Sequence, residues 1–334
     1  MRIGLVGVGR IGAFHARTLS EVDGVDEIVL ADADPERARV VAKELDLQAA
    51  PDPDDLIGSE LDGLVIASPT QTHAALLRAG VAAGIPTFCE KPVAGTLSDT
   101  IELARELQDS AVPVHIGFQR RFDTGYRRIR EAVRSGELGW LHSIRANTHD
   151  QDPPPAGYIQ TSGGIFRDCN VHDFDILRFV TGHEVVSAYA TGANKGEPFF
   201  AEYGDVDTGA AILTLDDDTL VFVSSTRYNG GGHDVRFEAM GDKGAMAVGL
   251  DSSFPLTSAE EGVDFPSGPQ HWSFMERFLP AYRAELTAFT QVARGEIPSP
   301  CTVADALQAF RIAEACELSR HEGRPVRLDE VDDL

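Results

Sequence analysis

Over the first third of the chain, short runs of apolar residues alternate with segments of helical period. The runs at residues 2–7, 27–32, 63–67, 87–89 and 112–117 predict strands, with a shorter, weaker one at 47–50. Between them, apolar positions recur every three to four residues over 11–20, 35–44, 72–83 and 98–108, the spacing that turns one helix face to a core. Pro35 falls in a first helical turn, where its missing N–H costs nothing. Gly84-Ile85-Pro86 stops the helix before it. Strands this uniformly apolar, alternating with helices, predict a parallel sheet covered on both faces, an α/β Rossmann doubly wound domain.

After Gly117 the pattern changes. A helix is expected from the Phe118–Asp123 segment to about residue 134, then a strand at 140–148. Asp150-Gln151-Asp152-Pro153-Pro154-Pro155 follows and suits neither helix nor central strand. A helix is expected at 168–180, period-two strands at 185–193, 206–215, 219–228, 234–240 and 245–248, and long helices at 275–294 and 302–321. The second part therefore reads as an α+β domain with a large, mostly antiparallel sheet. The 334 residues fit two domains, divided as 1–118 and 119–334, with an acidic tail at 329–334 expected to be loose.

Charge narrows the function classes. With 53 acidic against 29 basic residues the net charge is −24. Such a surface repels phosphate backbones and anionic lipids, which argues against nucleic-acid and membrane partners and for a neutral small substrate. No apolar run approaches the ~18 residues of a membrane span. The opening Met1-Arg2-Ile3-Gly4 has no secretory pattern, so a cytoplasmic location is expected. Cys89, Cys169, Cys301 and Cys316 stand apart, without zinc-ligand spacing, and are expected to be reduced thiols.

Gly7-Val8-Gly9-Arg10-Ile11-Gly12 is a G-x-G-x-x-G sequence between an expected strand and an expected helix, the context this motif requires. Gly7 permits a tight turn, Gly9 lets backbone approach a pyrophosphate, and Gly12 lets helix and strand pack closely. Free N–H groups at the helix start, around Arg10 and Ile11, suit the anion. Asp32 ends the second strand, 20 residues after Gly12. A carboxylate there accepts from a ribose 2′-hydroxyl and repels a 2′-phosphate, which selects NAD over NADP, although Arg37 lies five residues on. In a doubly wound sheet the loop after the fourth strand, with Ser68, Pro69, Thr70 and His73, is expected beside the glycine loop, within reach of the cofactor.

Glu90-Lys91-Pro92 follows the next strand at the same sheet edge. Lysine is scarce, with Lys43, Lys91, Lys195 and Lys243 the only four, and position favours a role for Lys91 at the nicotinamide end. Asp168 and His172 stand four apart on an expected helix, hence on one face. An imidazole tuned by a carboxylate and an ammonium suits removal of an alcohol proton. His149, Asp150 and Asp152 are further possible ligands for a metal, but no catalytic-zinc pattern is completed and none is expected.

These strings, with Gly117-Phe118-Gln119-Arg120-Arg121-Phe122-Asp123, Ser162-Gly163-Gly164-Ile165-Phe166-Arg167-Asp168, His172-Asp173-Phe174-Asp175 and Gly204-Asp205-Val206-Asp207-Thr208, resemble the glucose–fructose oxidoreductase/inositol dehydrogenase (Gfo/Idh/MocA) family nearly end to end, most like its inositol 2-dehydrogenase branch. The resemblance implies NAD-dependent oxidation of a cyclic polyol bound between the domains, myo-inositol giving the 2-keto inosose. His172 would take the hydroxyl proton, with Asp168 and Lys91 orienting the hydroxyl and tuning the imidazole. Arg121, Asp152, Asn170 and Tyr228 would hold other hydroxyls. Where the branch reads Arg-Asp-Pro this chain has His149-Asp150-Gln151-Asp152-Pro153, so Asp150 competes with Asp152 for that role. The family also implies a homodimer or homotetramer packed through the open face of the second sheet. Oxidation of another inositol isomer or an aldose, an NAD-retaining glycosidase, and a non-catalytic NAD/sugar sensor are the alternative readings.

Overall fold

The computed structural model describes residues 1–333. The chain forms two compact units. One comprises Met1–Gln119 with Pro280–Leu307, the other Arg120–Leu279 with Gln308–Leu334. The first unit thus draws a segment from far down the chain, beyond a linear division at residue 118.

The first unit holds β1 (Arg2–Val6), α1 (Arg10–Leu19), β2 (Glu27–Ala31), α2 (Pro35–Leu45), β3 (Gln48–Ala49), α3 (Pro53–Ile57), β4 (Gly63–Ile66), α4 (Thr70–Ala82), β5 (Thr87–Glu90), α5 (Leu97–Leu107) and β6 (Val114–Gly117). Its six strands run parallel in the order β3-β2-β1-β4-β5-β6. The order reverses between β1 and β4, so their carboxyl ends lie side by side, with Val6 opposite Ile66. That switch point is where such sheets bind ligands. Helix starts follow local chemistry. Asp34 accepts from the Glu36 and Arg37 amides ahead of α2, whose N1 residue is Pro35, and Asp52 and Thr96 cap α3 and α5. Every expected strand and helix of this region is present, and the five-residue α3 is additional.

The second unit holds α6 (Thr124–Arg134), β7 (Leu141–His149), α7 (Ala156–Ser162), α8 (Val171–Thr181), β8 (Val185–Ala193), α9 (Phe199–Glu202), β9 (Thr208–Leu215), β10 (Leu220–Thr226), β11 (Asp234–Gly241), β12 (Ala245–Val248) and β13 (Val326–Arg327). The order is β12-β11-β7-β10-β9-β8-β13, antiparallel throughout except for the β7–β10 pair. Period-two patterning separates the faces. Ala211, Leu213, Val221 and Val223 are buried, while Tyr189, Ile212 and Phe222 form one register row on the exposed face. The closing helices α10 (Phe274–Ala293) and α11 (Val303–Glu322) are each divided between the units.

Three expectations are corrected. The helix expected at 168–180 is two pieces, a π-turn at Phe166–Asn170 running into α8. The loop expected at 150–155 is followed by α7, which its sequence did not announce. The tail is held rather than loose: Leu328–Asp333 forms a 3₁₀ turn with Val331 fully buried, and Leu334 lies outside the described residues. No described helix is long and apolar enough to cross a membrane.

Candidate active site

In the first unit the glycine loop is dictated by contact geometry. Gly7 sits at φ +92°, and a Cβ there would meet the Ser68 amide nitrogen at 2.4 Å. A Cβ on Gly12 would lie 1.7 Å from the Gly7 carbonyl oxygen, so α1 and the end of β1 touch backbone to backbone. A Cβ on Gly9 would meet nothing within 4 Å. Gly9 is the residue before α1, and the open space beside it adjoins the amides of the helix start, with Arg10 exposed and Ile11 half-buried in the first turn. This donor set fits a pyrophosphate.

Asp32 follows β2 and is 7% exposed. Its Oδ2 accepts from the Val8 amide at 2.8 Å and its Oδ1 from the Asp34 amide at 2.9 Å. It braces the glycine loop, and each oxygen retains a second lone pair for a ribose hydroxyl. Arg37 stands 3.5 Å from Oδ1 and is itself more than half exposed.

The loop after β4 lies against the glycine loop, as the Gly7–Ser68 approach shows. Ser68 Oγ pairs with Thr72 Oγ1 at 2.6 Å, while Pro69 and Thr70 begin α4. His73, expected at the cofactor, is instead 2% exposed and tied on both sides: Nε2 lies 2.8 Å from the Ser68 carbonyl oxygen and Nδ1 2.7 Å from that of Pro92. It joins the loops after β4 and β5. Glu90 is likewise turned inward, its Oε1 2.6 Å from Nε2 of the buried His15. Lys91 follows β5 at the carboxyl edge, half-buried, with a cis bond to Pro92.

In the second unit Asp168 is the hub. It lies in the π-turn, with His172 one turn on in α8 and half-buried. Tyr158 on α7 donates its hydroxyl to Asp168 Oδ1 at 2.8 Å, and Arg227, just after β10, donates to Asp168 Oδ2 at 2.7 Å. The same guanidinium donates to Asp150 Oδ2 at 3.0 Å, and His233 Nδ1 lies 3.4 Å from Asp150 Oδ1. Burial opposes charge at Asp150, but the His233 and Arg227 contacts outweigh it and hold the carboxyl below its ordinary range. The Asp168 charge, with burial, pushes the Tyr158 phenol far up, so it stays a donor. Burial also opposes the Arg227 charge, and Cys169, Asp168 and Asp150 overcome it.

The remaining expected substrate residues are distributed unevenly. Asn170 is fully buried, and its amide donates to Asp173 Oδ2 at 2.8 Å. Asp173 in turn holds Thr148 and Arg120. Arg121 is engaged elsewhere than expected: it is 5% exposed and forms a two-bond pair with Asp175 at 2.8 and 2.6 Å, over the Phe179 ring. Asp152 is exposed, and it is Asp150 that shares Arg227 with Asp168. Tyr228 is partly exposed, and its hydroxyl accepts from the Glu197 amide at 3.0 Å. His149 turns to Ser224 and Asp234, so His149, Asp150 and Asp152 do not converge on one point. Among the described residues His183, Asp216 and Asp217 have mutually close ligand atoms, but the two ring nitrogens of His183 face different carboxylates, 2.6 and 3.5 Å away. Sequence reasoning missed Arg227 and Tyr158. The first is a lone arginine at the end of an apolar strand, and the second lies on an unforeseen helix.

Comparison with known proteins agrees with both halves. The model of an oxidoreductase family with an NAD-binding Rossmann fold matches residues 1–118, and that of the GFO/IDH/MocA C-terminal domain matches residues 126–247. The chain is 37% identical to a myo-inositol dehydrogenase, Hyg17, of Streptomyces leeuwenhoekii over 97% of its length and 98% of that protein's. It is 33% identical to a myo-inositol 2-dehydrogenase of Thermotoga maritima over 99% of each. The crystal structure of a scyllo-inositol dehydrogenase from Lactobacillus casei with bound NAD(H) and scyllo-inositol superposes with a TM-score of 0.87 at 27% identity, covering 98% of this chain and 99% of that one.

Proposed function

The chain belongs to the GFO/IDH/MocA family of NAD-dependent oxidoreductases acting on CH–OH groups, and from that premise we propose that it oxidises a ring hydroxyl of a cyclic polyol, the 2-hydroxyl of myo-inositol, to the ketone. The observation that carries the reading is the Asp168 constellation. A carboxylate with one oxygen on Tyr158 and the other on Arg227 sits one helical turn from His172, with Asp150 beside it. Such a polar surface suits hydroxyl binding, with an imidazole at its edge to take a proton.

Bound NAD supplies the hydride acceptor. The protein supplies the rest. The His172 imidazole takes the hydroxyl proton while the carbinol hydrogen leaves as hydride, so the C–O bond becomes a carbonyl and one proton is later released to water. Asp168 stabilises the imidazolium, and Lys91 orients the reacting oxygen. Asp150 and Tyr228 hold neighbouring hydroxyls, and the buried Asn170 braces Asp173. Gly7, Gly9 and Gly12 shape the pyrophosphate cradle and Asp32 accepts from the ribose.

The relatives named for myo-inositol support that isomer over aldoses. The assay is NADH formation across inositol isomers and aldoses, with NAD and NADP. Absence of NADH with every polyol defeats the proposal, whereas turnover of a nitrophenyl glycoside without net NADH would favour the glycosidase alternative. His172→Ala is expected to lower kcat by on the order of 10²–10⁴-fold at neutral pH with NAD affinity retained. An active variant would place the base elsewhere.

The exposed row Tyr189–Ile212–Phe222 supports a second copy of the chain as cover for the open sheet face, in a homodimer or homotetramer. Four cysteines, all buried free thiols, support a reducing, cytoplasmic setting.

A further inference from the structure

Arg227 is 3% exposed, and its backbone amide donates to the Asp207 carbonyl at 2.8 Å. Its Nε has no partner among the described residues, so the two carboxylates, 2.7 and 3.0 Å away, fix the guanidinium plane. They come from separate parts of the fold. Asp150 follows β7, while Asp168 lies in a π-turn, a rare helical irregularity common at functional sites. The titratable and charged groups that act on this point are Tyr158 from α7, Cys169 and Asp168 from the π-turn, Asp150 and His233 from the loops beside β7 and β11, Asp205 ahead of β9, and Arg227 itself, with His172 one turn on from Asp168 in α8. Two carboxylates this near one another repel unless a cation lies between them. A planar, forked guanidinium donates to both in one fixed geometry, whereas a lysine ammonium is a compact charge with freely rotating donors on a flexible stem.

We propose that Arg227 is a positioning residue of the reaction: its guanidinium ties the loop of Asp150 to the π-turn of Asp168 and so fixes the Asp168 carboxylate, and the charge around it, one turn from His172. The inference rests on the reading of His172 as the base. It extends that reading by assigning the orientation of Asp168 to a residue that need not touch substrate.

The sign of the electrostatic effect separates this role from simple packing. Removing the Arg227 cation must make the nearby imidazolium easier to form, and removing the Asp150 anion must make it harder. The experiment follows the pH titration of His172 by NMR in the NAD-loaded protein with ¹⁵N-labelled histidine, the signal assigned with His172→Gln, in the wild type and in Arg227→Met, Arg227→Lys and Asp150→Asn. The pH dependence of kcat/KM for myo-inositol is measured in parallel. The His172 midpoint and the acid limb of kcat/KM are expected to rise by about one pH unit in Arg227→Met and to fall in Asp150→Asn, with Arg227→Lys between Arg227→Met and the wild type. Neutral-pH kcat/KM should drop on the order of 100-fold in Arg227→Met, with NAD affinity unchanged. Equal midpoints in all variants, or shifts of one sign in both Arg227→Met and Asp150→Asn, overturn the proposal. If Arg227→Met fails to fold, the opposed shifts of Arg227→Lys and Asp150→Asn still decide. The titration needs no substrate, so a wild type inactive on polyols would remove the substrate reading alone.

Discussion

At the residue scale, the three motif glycines illustrate how one residue type meets three separate demands. Gly12 is forced by the folded chain itself, since a methyl 1.7 Å from the Gly7 carbonyl cannot be accommodated. Gly9 is not, because nothing stands within 4 Å of its would-be Cβ. Only a ligand's approach requires glycine there. Gly9→Ala should therefore fold with an unaltered thermal midpoint while losing NAD affinity by at least tenfold, and Gly12→Ala should lower the midpoint with or without NAD. Calorimetric unfolding with and without NAD separates the two, and a Gly9→Ala protein that binds NAD normally would move the pyrophosphate elsewhere. Asp32 was legible at this scale from its position after the second strand, but its brace on Val8 was not. A hydrogen bond to a loop 24 residues earlier depends on where the strands are laid, which spacing does not encode.

At the element scale, strong periodicity was read correctly and irregular backbone was not. The apolar runs of β1, β2, β4 and β5 and the period-two strands β8 to β12 announce themselves, because one or both faces must be buried. The π-turn at Phe166–Asn170 did not. An extra residue in a helix leaves no mark on a hydrophobic pattern this short, and here it carries Asp168. The helix α10 shows a different limit. Its length and period were evident, yet Leu286 and Phe289, both fully buried, belong to the core of the first unit with Ile3, Val65 and Phe88. Phe289 fits over Gly63, where a Cβ would stand 3.2 Å from the ring. Phe289→Ala should cost about 3–5 kcal/mol of stability by leaving a cavity under the parallel sheet. Urea unfolding followed by NAD protection would report it, and a change below about 1 kcal/mol would show that α10 contributes little to that core.

At the scale of the whole molecule, what matters is the surface. A net charge of −24 repels polyanions and, by self-repulsion, also opposes close association, so any subunit contact must offset it with buried apolar area. The exposed sheet face offers that area in Tyr189, Ile212 and Phe222, side by side on three adjacent strands. Phe222→Glu should shift the protein toward monomer by analytical ultracentrifugation, most clearly at low salt, while the buried face of β10 keeps the fold intact. A wild type that is monomeric at micromolar concentration would show that this face is used otherwise.

The sequence by itself determined the fold class and the dinucleotide motif, because periodicity and loop spacing are local and because backbone sterics permit only glycine at Gly7 and Gly12. Tertiary structure decided which side chains are available. It turned Arg121 to Asp175, His73 to two carbonyls and Glu90 to His15, and it brought Arg227 to both Asp150 and Asp168 across 77 and 59 residues. The physical reason is the same in each case. A buried charge or ring nitrogen must find a partner, and the nearest one in space is fixed by strand order and helix packing, quantities that residue spacing along the chain does not contain.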